Sequence, residues 1–489
     1  MNAGLRSALV AGSAALLASG CAVGPNYHRP NTEVPAAFRF SAASAPDSLG
    51  DQGWWQIYQD PTLLKLLGVA LAGNLDVRIA AARVDEARAT LGATRLQQLP
   101  QLSVSAAAER ERLSQYELTP GEPAIFNAFT LQGSLSYEID FWGKYRRASE
   151  AARAQLLSTQ DARDDVVAGL VASVATSYFT LQTLDEQLEI TRRTVGTRSK
   201  FVELTTAQHE RGTVSGLDVA TAQAQLAQAE ATLPDLQRQI AQAEDQLSVL
   251  LGHNPDDIVR NTDGELKRMA PSVPPPVPPA GLPSSLLERR PDVREAEQNL
   301  VAANAQVGVA RANLYPTISL TGADGRESLA LSDLFKAPAL AWSAGGSILL
   351  PLLNPQRSLY QVELANAQKR EALLLYQKSL QTAFQEVSDA LIARQKYAEL
   401  QVAQQAQVDA QRKANDIALA RYRVGYSSYF NVIDADRDLF TAELSLSAAH
   451  LNTLVSVVQL YRALGGGWQS PPPVQAAAAG ADAPAPTPQ

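Results

Sequence analysis

From Leu131 to Ile139 apolar and polar positions alternate without a break. Leu131, Gly133, Leu135, Tyr137 and Ile139 share one side, and Gln132, Ser134, Ser136 and Glu138 share the other. A period of two sends successive side chains to opposite faces of an extended strand. The pattern recurs more weakly at Leu102, Val104, Ala106 and Ala108, the partner strand of a first hairpin. In the second half, Ile318 and Leu320 alternate with Thr317, Ser319 and Thr321, and Leu340, Trp342, Ala344, Gly346, Ile348 and Leu350 form one face. Each segment is about ten residues long, the length that a tilted strand needs to cross a bilayer.

Around the strands the period lengthens. Residues 63–98 are helical in composition and end near Pro100. Two far longer helical stretches follow the hairpins, 144–211 and 357–423, each on the order of 100 Å at 1.5 Å per residue. Val167, Val174, Leu181, Leu188, Val195 and Val202 recur every seven residues, the spacing of a coiled-coil seam. Gly212 and Gly425 interrupt the two stretches, and helix resumes near Leu217 and Phe430, which predicts two helix–turn–helix tips.

The order of elements dictates a topology. Each strand pair leaves a helix and returns to a helix, so the helices lie on one side of a membrane and the loops 111–126 and 324–338 on the other. No apolar run reaches 18 residues, so a closed β-barrel is the remaining way to span a bilayer. One chain supplies four strands, and known membrane barrels begin at about eight. Closure therefore requires several copies, and both a dimer with eight strands and a trimer with twelve satisfy it.

The chain is also internally duplicated. A shift of 216 lays Asp76-Val77-Arg78 on Asp292-Val293-Arg294, Ala80 on Ala296, Gly92 on Gly308 and Pro100 on Pro316. A shift of 213 lays Gly212 on Gly425, Ser215 on Ser428, Leu226 on Leu439 and Gly252 on Gly465. The expected division is a leader at 1–20, an N-terminal segment at 21–61, a first repeat at 62–270, a proline-rich linker at 271–283, a second repeat at 284–468 and a tail at 469–489. Pro274-Pro275-Pro276 cannot continue a helix, and the Pro/Ala tail holds too little apolar surface to fold.

Composition narrows the function. The 489 residues are 46% hydrophobic but only 6% aromatic, a balance that suits long helices more than a compact enzyme core. A net charge of −8 argues against nucleic acid as a partner, because such a protein presents a basic footprint. The four histidines (His28, His209, His253 and His450) have no ligand spacing, and Cys21 is the only cysteine. The sequence thus points to no metal site, no cofactor, no disulfide and no catalytic residue.

Arg6, the apolar stretch 8–18 and Ser19-Gly20-Cys21 have the layout of a secretory leader. Ending on a cysteine, it resembles a lipobox, which implies acylation of Cys21; Ala18 departs from the usual Leu. Ala22 stands where Asp would resemble an inner-membrane retention signal, so the expected location is the outer membrane.

Four stretches carry a wider resemblance: Cys21-Ala-Val-Gly-Pro-Asn-Tyr-His-Arg-Pro30, Tyr137-Glu-Ile-Asp-Phe-Trp-Gly143, Gly281-Leu-Pro-Ser-Ser-Leu-Leu-Glu-Arg-Arg-Pro-Asp-Val-Arg294 and Leu464-Gly-Gly-Gly-Trp468. They are similar to the outer-membrane efflux proteins of the TolC/OprM type, in particular the NodT-like lipoprotein branch. The resemblance covers about 21–468 and implies a mixed α/β membrane protein. In it, a homotrimer closes a twelve-stranded outer-membrane β-barrel above a periplasmic α-helical tunnel. It also implies a periplasmic adaptor and a proton-driven inner-membrane pump of the RND class as partners. Leu353-Asn-Pro-Gln-Arg357 departs from the family's aromatic-Asp-Gly-Gly turn.

A channel needs a bore and a gate, made from rings of charge and apolar constrictions. Phe430, Asn431, Asp434 and Arg437 are three or four residues apart and share a helix face. By resemblance, Asp434 and Arg437 match the family's periplasmic-entrance Asp and Arg, and Phe430 its apolar constriction. Asn431 stands where some relatives have Asp. Tyr422 and Asp218 match a tyrosine and an aspartate in the links that close the entrance, while Ser427 replaces the arginine that completes them. By spacing alone, Asp434–Arg437 reads more readily as a solvated surface pair, and the resemblance reverses that order. Two other functions fit parts of the pattern. One is the outer-membrane duct of a type I protein secretion system; the other is a periplasmic coiled-coil scaffold without a pore.

Overall fold

The computed structural model describes residues 22–40, 48–114, 116, 124–256, 258, 283–350 and 355–469. Cys21 and the leader, all but the end of the linker 271–283 and the tail from 470 lie outside the described residues. Apart from single turns, the elements are α1 (Pro61–Gly73), α2 (Leu75–Leu96), β1 (Gln101–Arg112), β2 (Ile125–Glu138), α3 (Lys144–Glu210), α4 (Gly216–Leu250), α5 (Pro291–Ala312), β3 (Thr317–Ser328), β4 (Leu340–Leu349), α6 (Pro355–Arg423) and α7 (Tyr429–Ala463). The order helix, two strands, long helix, turn, helix occurs twice.

Three differences from the sequence reading have local causes. The helix expected over 63–98 is two helices, because the Asn74 carboxamide turns back to accept from the N–H groups of Asp76 (2.9 Å) and Val77 (3.2 Å) and caps α2. Its Nδ2 also donates to the Leu250 carbonyl at 3.0 Å. β2 starts at Ile125, six residues before the clean alternation begins. β3 continues to Ser328 through polar Asp324, Arg326 and Glu327, which shortens the connection expected at 324–338.

The chain forms two compact units. The first contains residues 83–160 and 295–377 and the N-terminal segment up to Thr32. Its centre is an antiparallel sheet in the order β1-β2-β3-β4. The register aligns Leu102 with Leu135, Leu135 with Gly322 and Gly322 with Ala344. Val104, Gly133, Asp324 and Trp342 form another row of the same face. The opposite face carries Ser103, Ser134, Ala323 and Ser343 in register. One face is therefore mainly apolar and the other mainly polar. Leu102 and Trp342 are each 74% exposed, so nothing among the described residues covers them on the apolar face. Among the described residues, β1 and β4 are the unpaired edges of this sheet.

The junction between sheet and helix is built from the sequence around Trp142. The Asp140 carboxylate accepts from the backbone N–H groups of Tyr145 and Arg146 at 3.1 and 2.9 Å, which satisfies donors at the start of α3. The Trp142 indole donates to the Pro316 carbonyl at 2.8 Å and stacks on Tyr315. The N-terminal segment is pinned nearby: Asn304 donates to Pro25 O at 2.9 Å, and Arg29 makes a two-bonded pair with Glu297 at 2.7 and 2.6 Å. Gly24 and Gly308 meet so closely that a Cβ on Gly24 would lie 2.5 Å from Gly308 Cα.

The second unit contains 33–82, 161–294 and 378–489 and is helical among the described residues. Val174, Leu181 and Leu188 of the seven-residue series are buried in it, as are Val457, Val458, Leu460 and Tyr461 of α7. Tyr178 donates to Asp60 Oδ2 at 2.7 Å, and Tyr461 donates to the Gln52 carbonyl at 2.7 Å.

Candidate functional site

Both tips lie in the second unit, and both end their long helix in the same way. Gly212 and Gly425 adopt φ of +77° and +78°, a region that a Cβ disfavours. The next N–H reaches five residues back: Thr213 N to Gln208 O at 3.0 Å and Tyr426 N to Arg421 O at 2.9 Å. This left-handed cap closes the last turn. The tips then diverge. At the first, Ser215 caps α4 and Asp218 returns the bond, its carboxylate accepting from Ser215 N (3.0 Å) and Ser215 Oγ (2.9 Å), a capping box. At the second, Ser428 makes no side-chain cap bond, and Asn431 donates to Ser427 Oγ at 2.8 Å. Asn431 is the repeat mate of Asp218 under the shift of 213, so one exchange of Asp for Asn accompanies the loss of the box.

The remaining candidate residues fall into two groups. Phe430 is 70% exposed. Asp434 and Arg437 form an ion pair with about half of each side chain in solvent, and Arg437 also holds Asp438 at 3.0 Å. The neighbouring carboxylates Asp438 and Asp434 raise the Arg437 pKa above its usual value. Tyr422 points inward, donating to Gln208 Oε1 at 2.9 Å. Burial, and then the Asp218 charge, raise its pKa, against the Gln208 bond. Tyr422 and Asp218 are thus electrostatic neighbours, with the direct hydrogen bond going to Gln208.

Sequence reasoning missed how α7 is held. Arg198 of α3 donates from Nε to Asp436 of α7 at 2.7 Å and from Nη1 to the Gln225 carbonyl of α4 at 2.8 Å. Glu443 of α7 accepts from Arg193 of α3 and from Arg412 of α6. Phe201, Tyr422 and Tyr429 form an aromatic cluster, with Phe201 stacked on Tyr429 at 4.7 Å. No spacing signal links residues more than 200 positions apart. Asp436 sits beside Asp434 in sequence, yet faces the other way.

The description "Outer membrane efflux protein" matches the chain twice, over 66–253 and 282–466. The chain belongs to this family. The toluene efflux pump outer membrane protein TtgC of Pseudomonas putida is 36% identical over 461 residues, covering 93% of this chain and 94% of that protein. The cation efflux system protein CusC of Escherichia coli is 33% identical over 93% of this chain and 97% of the relative. Among solved structures, the outer-membrane channel OprN superposes with a TM-score of 0.83 at 30% identity, over 92% of this chain and all of that one. The open state of the MtrE outer membrane channel of Neisseria gonorrhoeae gives 0.81 at 29%, over 92% and 99%. The expected family and outer-membrane location are borne out, and the family is one of channels, not of enzymes. Among its described residues this outer-membrane efflux protein is mostly helical, with four strands.

Proposed function

We propose that the chain is the passive exit duct of a tripartite RND-type efflux system, assembled as a homotrimer whose twelve strands close one barrel. The observation that carries this reading is the two-faced sheet with free edges β1 and β4. Edge N–H and C=O groups cannot be left unpaired in hydrocarbon. β1 and β4 run in opposite directions in a sheet of four antiparallel strands, so β4 of one copy pairs with β1 of the next in antiparallel register. The apolar face meets lipid and the polar face lines the bore. A periplasmic adaptor and an inner-membrane pump supply the substrate. Relatives named for toluene and for cations each match this chain over 93% of its length, which supports selection by the pump. Those names favour efflux over the type I secretion reading.

On this reading Cys21 is acylated, and the repeats 62–270 and 284–468 each contribute one hairpin and one tip. Phe430, Asn431, Asp434 and Arg437 form rings of three at the periplasmic entrance, and Tyr422 with Asp218 lies in the links that close it. The test is the mass of the detergent-solubilised particle and its migration before and after heating. Three chains per particle and heat-modifiable migration are expected; a monomer that keeps its strand signal would refute the barrel.

A further inference from the structure

We infer that β4 of one copy pairs with β1 of the next in a single register, with Trp342 opposite Arg112, Gly346 opposite Ala108 and Ile348 opposite Ala106. This inference rests on the trimeric duct proposed above and specifies how its copies join. Both edge strands are open to a partner: every residue of β1 and β4 is exposed, whereas β2 and β3 contain half-buried positions. The duplication makes the two hairpins equivalent. The shift of 216 lays β1 on β3, with Gln101 on Thr317 and Ser103 on Ser319. Pairing within the hairpins carries that equivalence to β2 and β4. Leu102 pairs with Leu135 and its mate Ile318 pairs with Ile348, so Leu135 lies on Ile348. That shift is 213, the value that also lays Gly212 on Gly425. Strand register and sequence repeat therefore agree.

The chain already contains one joint between hairpins, the ladder of β2 and β3. A row of partners runs from Gln101 to Ser136 to Thr321, four residues beyond Thr317, the mate of Gln101. The row continues from Thr321 to Gly345. The same climb at the next joint takes it to Glu109 of the next copy, four residues beyond Ser105, the mate of Thr321. The two faces provide an independent check, because a slip of one residue would turn every side chain of the incoming strand to the wrong face. The derived register keeps Arg112, Arg110, Ala108 and Ala106 level with Trp342, Ala344, Gly346 and Ile348 on the face of Leu102, and Ala107 level with Ser347 on the other. Arg110 and Arg112 stand at the loop end of β1, where an arginine on the lipid face costs little, and Arg112 comes within reach of the Trp342 ring. Three copies climb about 24 residues around twelve strands. At about 3.3 Å per residue and 4.8 Å between strands, this tilts them by about 54°. The tilt is steeper than the roughly 35–45° of most membrane barrels, and it widens the bore because each inclined strand takes up more of the circumference.

The test is disulfide trapping in the full-length chain, whose only natural cysteine is Cys21. Directly opposite residues have Cα atoms about 4.5–5.5 Å apart, within the range of a disulfide, whereas a slip of two residues separates them by about 7–8 Å, beyond it. Ala106→Cys with Ile348→Cys, and separately Ala107→Cys with Ser347→Cys, should shift the chain to covalent dimers and trimers on a denaturing gel, and reductant should reverse the shift. Val104→Cys with Ile348→Cys, Ala108→Cys with Ile348→Cys and each single replacement should run as one chain. A density map of the unmodified particle at side-chain detail reads the register without any substitution, and should set Trp342 against Arg112 of the next copy. Covalent trimers at the slipped pairs, or another partner for Trp342 in the map, would overturn the register and leave the trimeric duct standing. A particle of one chain would overturn both.

Discussion

Replacing Asp436 by Asn should loosen α7 far more than replacing Glu443 by Gln, although both remove one carboxylate from the same helix. Asp436 faces Arg198, whose side chain is 6% exposed, whereas the arginines on Glu443 are 56% and 53% exposed. Removing one partner of a buried pair leaves the other charge uncompensated, at a cost of about 3–5 kcal/mol. Arg198 keeps the Gln225 carbonyl and the Phe440 ring face, 5.3 Å away, which argues for the lower end, about 3 kcal/mol. Exposed pairs contribute about 0.2–1 kcal/mol each. Amide exchange over residues 429–445 in the detergent-solubilised particle resolves the two, because 3 kcal/mol corresponds to about a hundredfold in the opening equilibrium. Asp436→Asn should lower protection there by about that factor, and Glu443→Gln, which removes two exposed pairs, by about thirtyfold or less. Salt at about 1 M should erase much of the Glu443 effect while sparing that of Asp436, since exposed charges are screened beyond about 3 Å. The paired change Arg198→Met with Asp436→Leu should recover most of the loss. The reasoning fails if Asp436→Asn matches the unmodified chain, or if the paired change is worse than the single one.

Cys21→Ser should abolish metabolic labelling with palmitate, while the protein still fractionates with the outer membrane; persistent labelling would remove the acylation site. Asp434→Ala with Arg437→Ala should raise single-channel conductance in planar bilayers and weaken block by multivalent cations added on the periplasmic side. A correctly assembled double variant with unchanged conductance and block would return the pair to an ordinary surface role. Gly425→Ala should destabilise the second tip by about 1–2 kcal/mol, the left-handed penalty for a Cβ; the surroundings are open, so faster proteolysis should appear at that tip alone.

Much of this architecture was legible because its determinants are periodic. A period of two marked the core of every strand, and the sheet register places Leu102, Leu135 and Ala344 on one face as that period requires. The series through Val174, Leu181 and Leu188 marked a buried seam. Gly212 and Gly425 marked the tips because only the left-handed region closes those turns. Periodicity failed where local chemistry took over. The break at Asn74 was readable in principle, since Asn before a helical run is a cap signal, but the apolar pattern ran through it. The outer end of β3 was hidden because Asp324, Arg326 and Glu327 carry no apolar signal. At the candidate gate, spacing grouped Phe430, Asn431, Asp434 and Arg437, but the contacts Arg198–Asp436 and Tyr422–Gln208 depend on how separate helices meet.

The free edges at β1 and β4 also bear on inheritance. In the proposed trimer every copy lends one edge to each neighbour, so a chain with a spoiled edge would disable the ring that admits it. In a ring of three, the intact share scales as the cube of the sound fraction, and equal amounts of sound and spoiled chain would leave about one ring in eight. A proline placed in β1 or β4 would remove an edge N–H and act dominantly over a healthy second copy of the gene, whereas a lesion that prevents folding altogether would be masked.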